Sequence, residues 1–338
     1  MIQLEGNISL LDENLRFNKV YCSYFPTSIY FPGHYIWNSY RYSRQIYNNL
    51  VKDLNSYDFV YAKGFSAWKL FIKTNKKKNH PKIGLKFHGY EMFQSAPSIK
   101  VKIQHYLLRP FVKWQNRQAD FIFSYGGKIS EIIKSLNITE NKIIEIPSSI
   151  NEKWIISNLT QKGNKLKFLF IGRYERRKGI EELNDAIDSL SDRKITAEFH
   201  FVGNIPKDKQ LKSKNLDIYY HGVVTDELSK IKIIDFCDVL ICPSYAEGMP
   251  NVILEAMSRG LAIIATDVGA ISIMVDKSNG VLLKSNNPKA IINSVINIID
   301  KKSTLNNLKL SSIEKVKKGF TYHFVIKKLI NSIEKSIN

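Results

Sequence analysis

The chain has 338 residues, of which 44% are hydrophobic and 12% aromatic, enough apolar material for two domains of roughly 150 residues each. This composition excludes a disordered or fibrous protein, and the sequence predicts neither a membrane-spanning helix nor a signal peptide. The net charge of +19 falls mainly on residues 1–165, which hold 24 Lys and Arg against 11 Asp and Glu. A positive charge of this size is compatible with binding to an anionic membrane, a phosphorylated substrate or nucleic acid, or with a generally lysine-rich composition. Nucleic acid is the weakest of these, because lysine outweighs arginine and no DNA-binding pattern is present.

From residue 57 onward, short apolar runs alternate with helical patterns, which predicts βαβ units and parallel sheets. In the first half the predicted strands are 57–64, 82–89, 119–127 and 141–149. A long basic and aromatic helix is predicted over 98–117. The polar segment 147–164 contains Pro, Ser and Gly, which indicates a linker between domains.

The second half restarts the same alternation. Its predicted strands are 165–173, 197–204, 218–224, 237–244, 261–269 and 280–284. We therefore expect two doubly wound, Rossmann-like α/β domains, residues 1–150 and 151–320, facing a cleft. Ligands are expected at the carboxyl ends of the strands, and the C-terminal helix 321–338 is expected to pack back on the first domain.

The loop after the predicted strand 237–244 carries Glu247 and, on the following helix, Glu255, in the sequence PSYAEGMPNVILEAMSRG. A carboxylate can accept hydrogen bonds from two adjacent ribose hydroxyls. Pro250 is predicted at the first helical position, where its missing N–H costs nothing, and the free N–H groups nearby would face an anion or a sugar hydroxyl. The residues of this loop are Gly248, Met249, Pro250 and Asn251. Taken singly, each glutamate is better explained as a solvated surface charge, so the pair must be judged by its context.

The stretch EGMPNVILE followed by AMSRGLAIIATDVGA resembles the signature of the retaining GT-B glycosyltransferases of family 4, or group 1. Members carry two glutamates separated by seven residues, then a helix of small residues and a strand that ends in a glycine turn. The resemblance implies that Glu255 binds the nucleotide ribose and that Glu247 meets the transferred sugar. It covers roughly residues 40–335 and is strongest from 165 to 275.

A second motif, FLFIGRYERRKGIEELNDAI, places Arg173 just after a predicted strand and Lys178 before the next helix. The resemblance implies that both bind the donor diphosphate, where they would neutralise the charge that develops on the leaving group. A divalent metal does this work in other transferases, so no metal or other cofactor is expected. Arg176 and Arg177 add positive charge without an implied role, and a solvated basic turn is the alternative for the whole motif.

A third motif, KFHGYEMFQ, places His88 at the end of a predicted strand and Gly89 in the turn after it. The resemblance implies that His88 reaches the transferred sugar across the cleft. An imidazole can donate a hydrogen bond to a sugar hydroxyl without presenting a fixed charge. A histidine satisfied at a strand end is the alternative.

Four further features are less specific. FVGN (201–204) and YHGVV (220–224) resemble loops that flank the nucleotide base in the family, which points to Gly203 and Val224, although ordinary turns have the same pattern. GGKIS (126–130) resembles a loop of the acceptor-side domain, and Gly269 is expected to approach the donor sugar. Dinucleotide, P-loop and HExxH motifs and a DxD-like strand-end metal site are missing from the sequence.

The start of the chain departs from the family. Its members usually open with an apolar strand that runs into a glycine-rich loop, whereas residues 1–35 lack this arrangement and Gly33 is a weak substitute. The first βα unit is therefore expected to be missing or divergent. Donor binding is accordingly better supported by the sequence than full activity.

The resemblance implies a retaining transferase that moves a sugar from a UDP- or GDP-sugar to a saccharide or lipid-linked acceptor. The expected setting is the biosynthesis of a bacterial surface polysaccharide: capsule, lipopolysaccharide or exopolysaccharide. A non-catalytic nucleotide-sugar-binding protein is one alternative. A GT-B type nucleotide-sugar epimerase is another, but it needs acid and base carboxylates that the sugar site lacks.

The helix 98–117 mixes aromatic and basic residues, which is equally typical of docking to an anionic membrane and of an amphipathic helix packed on the domain. The three cysteines, at spacings that match no zinc or redox motif, indicate a reduced environment. We expect a cytoplasmic protein, peripherally associated with the inner face of the membrane and without a nucleic-acid partner.

Overall fold

The computed structural model describes residues 2–4, 20–26, 31, 33–74, 80–159, 163, 165–193 and 195–337. The strands of this part of the chain are β1 (Ile2–Leu4), β2 (Val20–Cys22), β3 (Phe59–Lys63), β4 (Lys82–Lys86), β5 (Phe121–Ser124), β6 (Ile143–Glu145), β7 (Leu166–Ile171), β8 (Ala197–Val202), β9 (Asp217–Tyr220), β10 (Val239–Cys242), β11 (Ala262–Thr266) and β12 (Gly280–Leu283). Its α-helices are α1 (His34–Leu50), α2 (Trp68–Thr74), α3 (Ile99–Gln118), α4 (Lys128–Ser135), α5 (Ile180–Ser191), α6 (Glu227–Phe236), α7 (Asn251–Ser258), α8 (Pro288–Asp300), α9 (Leu305–Gly319) and α10 (Tyr322–Ile337). None of these helices is long and apolar enough to cross a membrane.

Six parallel strands form the sheet of the second domain, in the order β12-β11-β10-β7-β8-β9. The strands β7, β10 and β11 are almost entirely buried, as is typical of apolar strands covered by helices on both faces. The chain winds from β7 through β8 to β9 in one direction and from β10 through β11 to β12 in the other. The direction therefore reverses between β7 and β10, and in an open parallel sheet the ligand crevice lies outside the carboxyl ends of the strands at that point.

The sheet of the first domain has the order β3-β4-β5-β6, and each pair is parallel. These strands follow chain order without a reversal. Among the described strands, β1 and β2 pair only with each other, also in parallel. The prediction that the first βα unit is missing or divergent concerns residues 1–35, of which 1, 5–19, 27–30 and 32 lie outside the described residues. The predicted α/β class with two parallel-sheet domains is confirmed.

The last helix returns to the first domain. The backbone N–H of Tyr322 donates to the carbonyl of Ile150 at 3.0 Å, which fixes the start of α10 at the end of the interdomain segment. On α10, Val325 forms a buried cluster with Phe123 of β5 and Ile146, which follows β6. The chain thus passes between the two domains twice, once before β7 and once before α10.

The strands end earlier than the sequence predicted. The predicted strand 82–89 stops at residue 86, 165–173 stops at 171, and 237–244 stops at 242. The residues after these ends lie outside the strands, although the N–H of Gly172 still donates to the carbonyl of Val202 at 2.9 Å. Three of the predicted site motifs begin in the residues that follow these strand ends.

Candidate functional site

The centre of the site is the carboxylate of Glu247, which follows β10 and is only 6% exposed. Lys178 Nζ donates to Glu247 Oε1 at 2.7 Å and Ser244 Oγ donates to the same oxygen at 2.8 Å. The second oxygen lies 3.5 Å from Arg177 Nη1. A buried carboxylate is costly unless it is paired and hydrogen-bonded, and here both oxygens have cationic neighbours.

The sheet topology explains why these residues meet although about 70 positions separate them. Lys178 and Arg177 follow β7, Glu247 follows β10, and β7 and β10 are neighbours at the point where the sheet reverses direction. Gly179, with φ +68°, locks the two loops together, since a Cβ there would lie 1.9 Å from the carbonyl oxygen of Pro243. A side chain at this position would push the two loops apart.

Arg173, the other predicted diphosphate ligand, lies at the surface. Its side chain is 75% exposed and its Nη2 is 2.9 Å from Glu175 Oε1. Arg177, to which the sequence assigned no role, instead lines the cavity beside Glu247. The only sequence signal for Arg177 was local positive charge, which does not distinguish it from Arg176.

Glu255 lies on α7, and its Oε2 is 2.5 Å from Nζ of Lys230 on α6. The side chain of Glu255 is 16% exposed, so the carboxylate is held in place but remains reachable. The sequence did not predict Lys230, because nothing in the α6 pattern marks it as facing α7. A ribose bound here would share the carboxylate with this lysine.

The loop between Glu247 and α7 contacts the interdomain segment. Met249 Sδ accepts a hydrogen bond from the backbone N–H of Ser148 at 3.0 Å, and Asn251 Oδ1 accepts one from Ser148 Oγ at 2.7 Å. The helix begins at Asn251, so Pro250 is its extended N-cap residue and not its first residue. The prediction for Pro250 was wrong by one position, since its ψ of 117° keeps it outside the helix.

The two domains are in direct contact across the cleft at Gly248. A Cβ on Gly248 would lie 1.8 Å from the carbonyl oxygen of His88, so only glycine allows this approach. Gln94 binds the neighbouring backbone from the first domain, donating from Nε2 to the carbonyl of Glu247 at 2.7 Å and accepting from its N–H at 3.3 Å. The GGKIS loop also reaches the second domain, since the N–H of Lys128 donates to the carbonyl of Gly269 at 3.0 Å.

His88 lies at an exposed position beside this contact, and its Nδ1 lies 3.1 Å from the hydroxyl of Tyr125. Partial desolvation of the ring, followed by the positive charges of Lys63 and Lys86, lowers the pKa of His88 below its usual value of 6.5. The imidazole is therefore neutral at pH 7. A neutral ring can hydrogen-bond a sugar hydroxyl without adding charge to the cleft.

A cavity of about 450 Å³ lies between the two domains and α10. Of the predicted site residues, it brings together His88, Glu247, Gly248, Met249 and Asn251. Lys178 supports Glu247 from outside the lining, while Arg173, Glu255, Gly203, Val224 and Pro250 are not part of it. The residues predicted to face the sugar thus share one cavity, and the residues predicted to bind the diphosphate and the ribose are not among its lining residues.

Gly203 and Val224 are the weakest of the predicted donor residues. Gly203 has φ +138°, and a Cβ there would lie 1.9 Å from the carbonyl oxygen of Gly172, so backbone packing alone accounts for this glycine. Val224 is partly buried and packs against the core. Within the residues that the structure describes, no group of three or more His, Cys, Asp or Glu is arranged to hold a metal ion.

Residues 165–301, most of the second domain, match the sequence model of the family described as glycosyl transferases group 1. The chain is 33% identical over 130 residues to the putative teichuronic acid biosynthesis glycosyltransferase TuaC of Bacillus subtilis, covering 38% of this chain and 31% of TuaC. It is 24% identical over 278 residues to the N,N'-diacetylbacillosaminyl-diphospho-undecaprenol alpha-1,3-N-acetylgalactosaminyltransferase of Campylobacter jejuni, covering 76% of this chain and 72% of that enzyme. The fold is similar to that of Anabaena HepE, solved in complex with UDP-glucose, with a TM-score of 0.67, 14% identity and coverage of 94% of this chain and 86% of HepE.

Proposed function

The chain belongs to the group 1 glycosyltransferases of the GT-B fold, and from this premise we propose that it moves a sugar from a UDP- or GDP-sugar to a saccharide or lipid-linked acceptor. The transfer retains the configuration of the anomeric carbon and serves the biosynthesis of a bacterial surface polysaccharide. The names of TuaC and of the Campylobacter jejuni transferase support this setting. The complex of HepE with UDP-glucose supports a nucleotide-sugar donor.

One observation carries the proposal: the buried carboxylate of Glu247 is held by Lys178 and Ser244, in the same cavity as His88 of the opposite domain. A group fixed in this way is pre-organised for a bound sugar and needs no reorganisation during the reaction. The second domain would hold the donor, with the sugar at Glu247. The first domain would present the acceptor beside His88.

The chemistry follows from the charges of the site. The bond between the anomeric carbon and the donor phosphate breaks, and the acceptor hydroxyl forms the new bond on the same face while its proton passes to the leaving phosphate. Lys178 and the exposed Arg173 stabilise the negative charge on the departing nucleoside diphosphate. We propose that this suffices without a metal ion, so that turnover persists in excess EDTA.

The first half of α3 has an exposed surface that is suited to membrane binding. Four exposed apolar side chains, at successive spacings of four, three and one residues, lie on one face of the helix, beside the exposed Lys100 and Lys102. They are Ile99, Ile103, Tyr106 and Leu107. The second half of α3 packs on the domain through Val112, Gln115 and Asn116. We propose that the exposed half rests on an anionic membrane that carries the acceptor.

The experiment has two steps. A thermal-shift screen of UDP- and GDP-sugars on the full chain identifies the donor, which stabilises the folded protein by binding to it. Release of the nucleoside diphosphate from that donor, with excess EDTA, then tests turnover. A protein that is stabilised by a nucleotide sugar but never releases the diphosphate, with or without anionic vesicles carrying diphospho-undecaprenol sugars, would be a binding protein and would contradict the proposal.

A further inference from the structure

The first-domain wall of the cavity carries two lysines side by side. Lys63 ends β3 and Lys86 ends β4, and the two are paired residues in the register of these parallel strands. Both line the cavity, next to His88 and Tyr125. Parallel register keeps paired side chains on the same face of the sheet, so their positive charges add at one corner of the cavity.

Lys86 is buried without a carboxylate partner. It is 9% exposed, its Nζ donates to the carbonyl of Ile146 at 3.0 Å, and it lies 4.0 Å from the centre of the Tyr125 ring. Within the described part of the chain, neither Lys86 nor Lys63 forms an ion pair with an acidic side chain. The buried Lys309, in contrast, pairs with Asp238 at 2.5 Å. A buried ammonium without a counter-charge is destabilising. Lys86 therefore lowers the free energy of unfolding, whereas the charge of Lys309 is compensated by Asp238.

Few carboxylates line the cavity that could neutralise the charges of Lys63 and Lys86. Of its two lining carboxylates, Glu247 is engaged by Lys178 and Ser244, which leaves Glu91, beside Gly89 at the rim. Burial, together with the charge of Lys63, lowers the pKa of Lys86 to about 8, so the ammonium form still predominates at pH 7. The apolar side chains of Val325, Ile326 and Leu329 form the wall on the α10 side, and a low local dielectric strengthens attraction to an incoming anion.

We propose that the corner formed by Lys63 and Lys86 binds a phosphate or diphosphate group of the acceptor. This inference rests on the proposed function and specifies the acceptor as a phosphorylated molecule. The donor could supply the same chemistry from its own diphosphate, but the predicted donor ligands Arg173 and Lys178 belong to the second domain. Both corner lysines belong to the first domain, at the ends of β3 and β4.

Inorganic pyrophosphate is the probe, titrated calorimetrically into the full chain saturated with whichever of UDP or GDP binds. Lys86→Met keeps the length of the side chain and removes the charge, and we expect pyrophosphate to bind about tenfold more weakly or worse, as for a lost charged hydrogen bond. Lys63→Met, at an exposed position, should weaken it in the same direction without risk to folding. Lys73→Met is the matched control, because Lys73 is an exposed lysine of α2 outside the cavity.

The outcomes separate the two sources of phosphate. If saturating nucleotide abolishes pyrophosphate binding, or if Arg173→Ala weakens it while the Lys86 and Lys63 variants do not, the anion site belongs to the donor and the inference is wrong. Failure of pyrophosphate to bind the nucleotide-saturated protein would also overturn it. None of these results bears on the proposed function, which fails only if no nucleotide sugar is turned over.

Discussion

In the second domain the buried carboxylate of Glu247 is matched by Lys178 and Ser244, whereas in the first domain the buried ammonium of Lys86 has only a carbonyl oxygen and an aromatic ring. The second-domain side of the cleft is thus electrostatically complete before any ligand arrives. The first-domain side is incomplete and gains a counter-charge only from a bound molecule. Under the proposed function, the donor site is therefore pre-formed, while the acceptor contributes to the charge balance of its own site.

The largest effect is expected for Lys178→Ala, which removes the support of Glu247 and, in the proposed mechanism, a positive charge that stabilises the leaving group. Loss of one pre-organised electrostatic contact lowers turnover by about 10²- to 10³-fold, and diphosphate release from the donor measures it. Lys212→Ala, at an exposed lysine of the same domain, should leave turnover unchanged. A Lys178→Ala enzyme with full activity would show that the completed side of the cleft is not the catalytic one.

The pH dependence of the free energy of unfolding tests whether the buried charge of Lys86, on the first-domain side of the cleft, is uncompensated. The pKa of Lys86 is about 8 in the folded protein against 10.5 ordinarily, so between these pH values the unfolded chain binds more protons and stability must rise with pH. The destabilisation from burying protonated Lys86 is fully present below pH 8 and is gone above pH 10.5. The free energy of unfolding therefore rises by at most about 3 kcal/mol across this range.

Urea unfolding across this pH window measures the gain. Relative to the wild type, Lys86→Met should be more stable below pH 8 and should lose this part of the pH dependence, while Lys73→Met should follow the wild type. Identical pH profiles for the wild type and Lys86→Met would mean that Lys86 is not desolvated, and the contrast between the two sides would disappear.

Gly248→Ala tests whether activity requires the close contact between the two domains at Gly248 and His88. The added methyl would lie 1.8 Å from the backbone oxygen of His88, which no rotamer change can relieve, so the domains must separate. A displacement of about 1 Å between reacting groups can lower turnover by about 10²-fold. Gly319→Ala is the control, since a Cβ there meets nothing within 4 Å. Small-angle X-ray scattering should show a larger radius of gyration for Gly248→Ala alone, and an unchanged radius with full turnover would contradict the close contact.

The smallest effect is expected for Glu255→Ala, which should weaken nucleotide binding by about tenfold through the lost ribose hydrogen bonds. A 2′-deoxynucleotide should also bind the wild type more weakly. Its affinity should change less on Glu255→Ala, because it already lacks the hydroxyl that Glu255 would bind. Calorimetry with both nucleotides measures the coupling. Purely additive losses would assign Glu255 to its ion pair with Lys230 and not to the ribose.

The sequence predicted the parts of this structure that depend on local pattern. Buried strands such as β7 and β10 are nearly continuous apolar runs, and the interval between Glu247 and Glu255 placed one in a strand-end loop and the other on the next helix. Strand ends were less well predicted, because a residue such as Arg173 leaves the sheet only where the ladder of hydrogen bonds stops. Apolarity alone does not mark that point.

Contacts between distant segments could not be predicted in this way. Lys63 and Lys86 meet only because β3 and β4 pair in one particular register, and Gly248 needs to be glycine only because the first domain closes against it. The pairing of Lys230 with Glu255 depends on how α6 packs beside α7. Each is a property of the assembled tertiary structure, which no single motif contains.

The most direct test of the central claim is Glu247→Gln, which keeps the shape of the side chain and removes the buried negative charge that Lys178, Ser244 and Arg177 surround. Glu314→Gln, on the exposed face of α9, serves as the control. The account predicts that diphosphate release from the nucleotide-sugar donor falls by about 10²-fold or more while the affinity for the nucleotide itself stays within about threefold of the wild type. Unchanged turnover, or equal losses of turnover and nucleotide affinity, would contradict a catalytic site centred on Glu247.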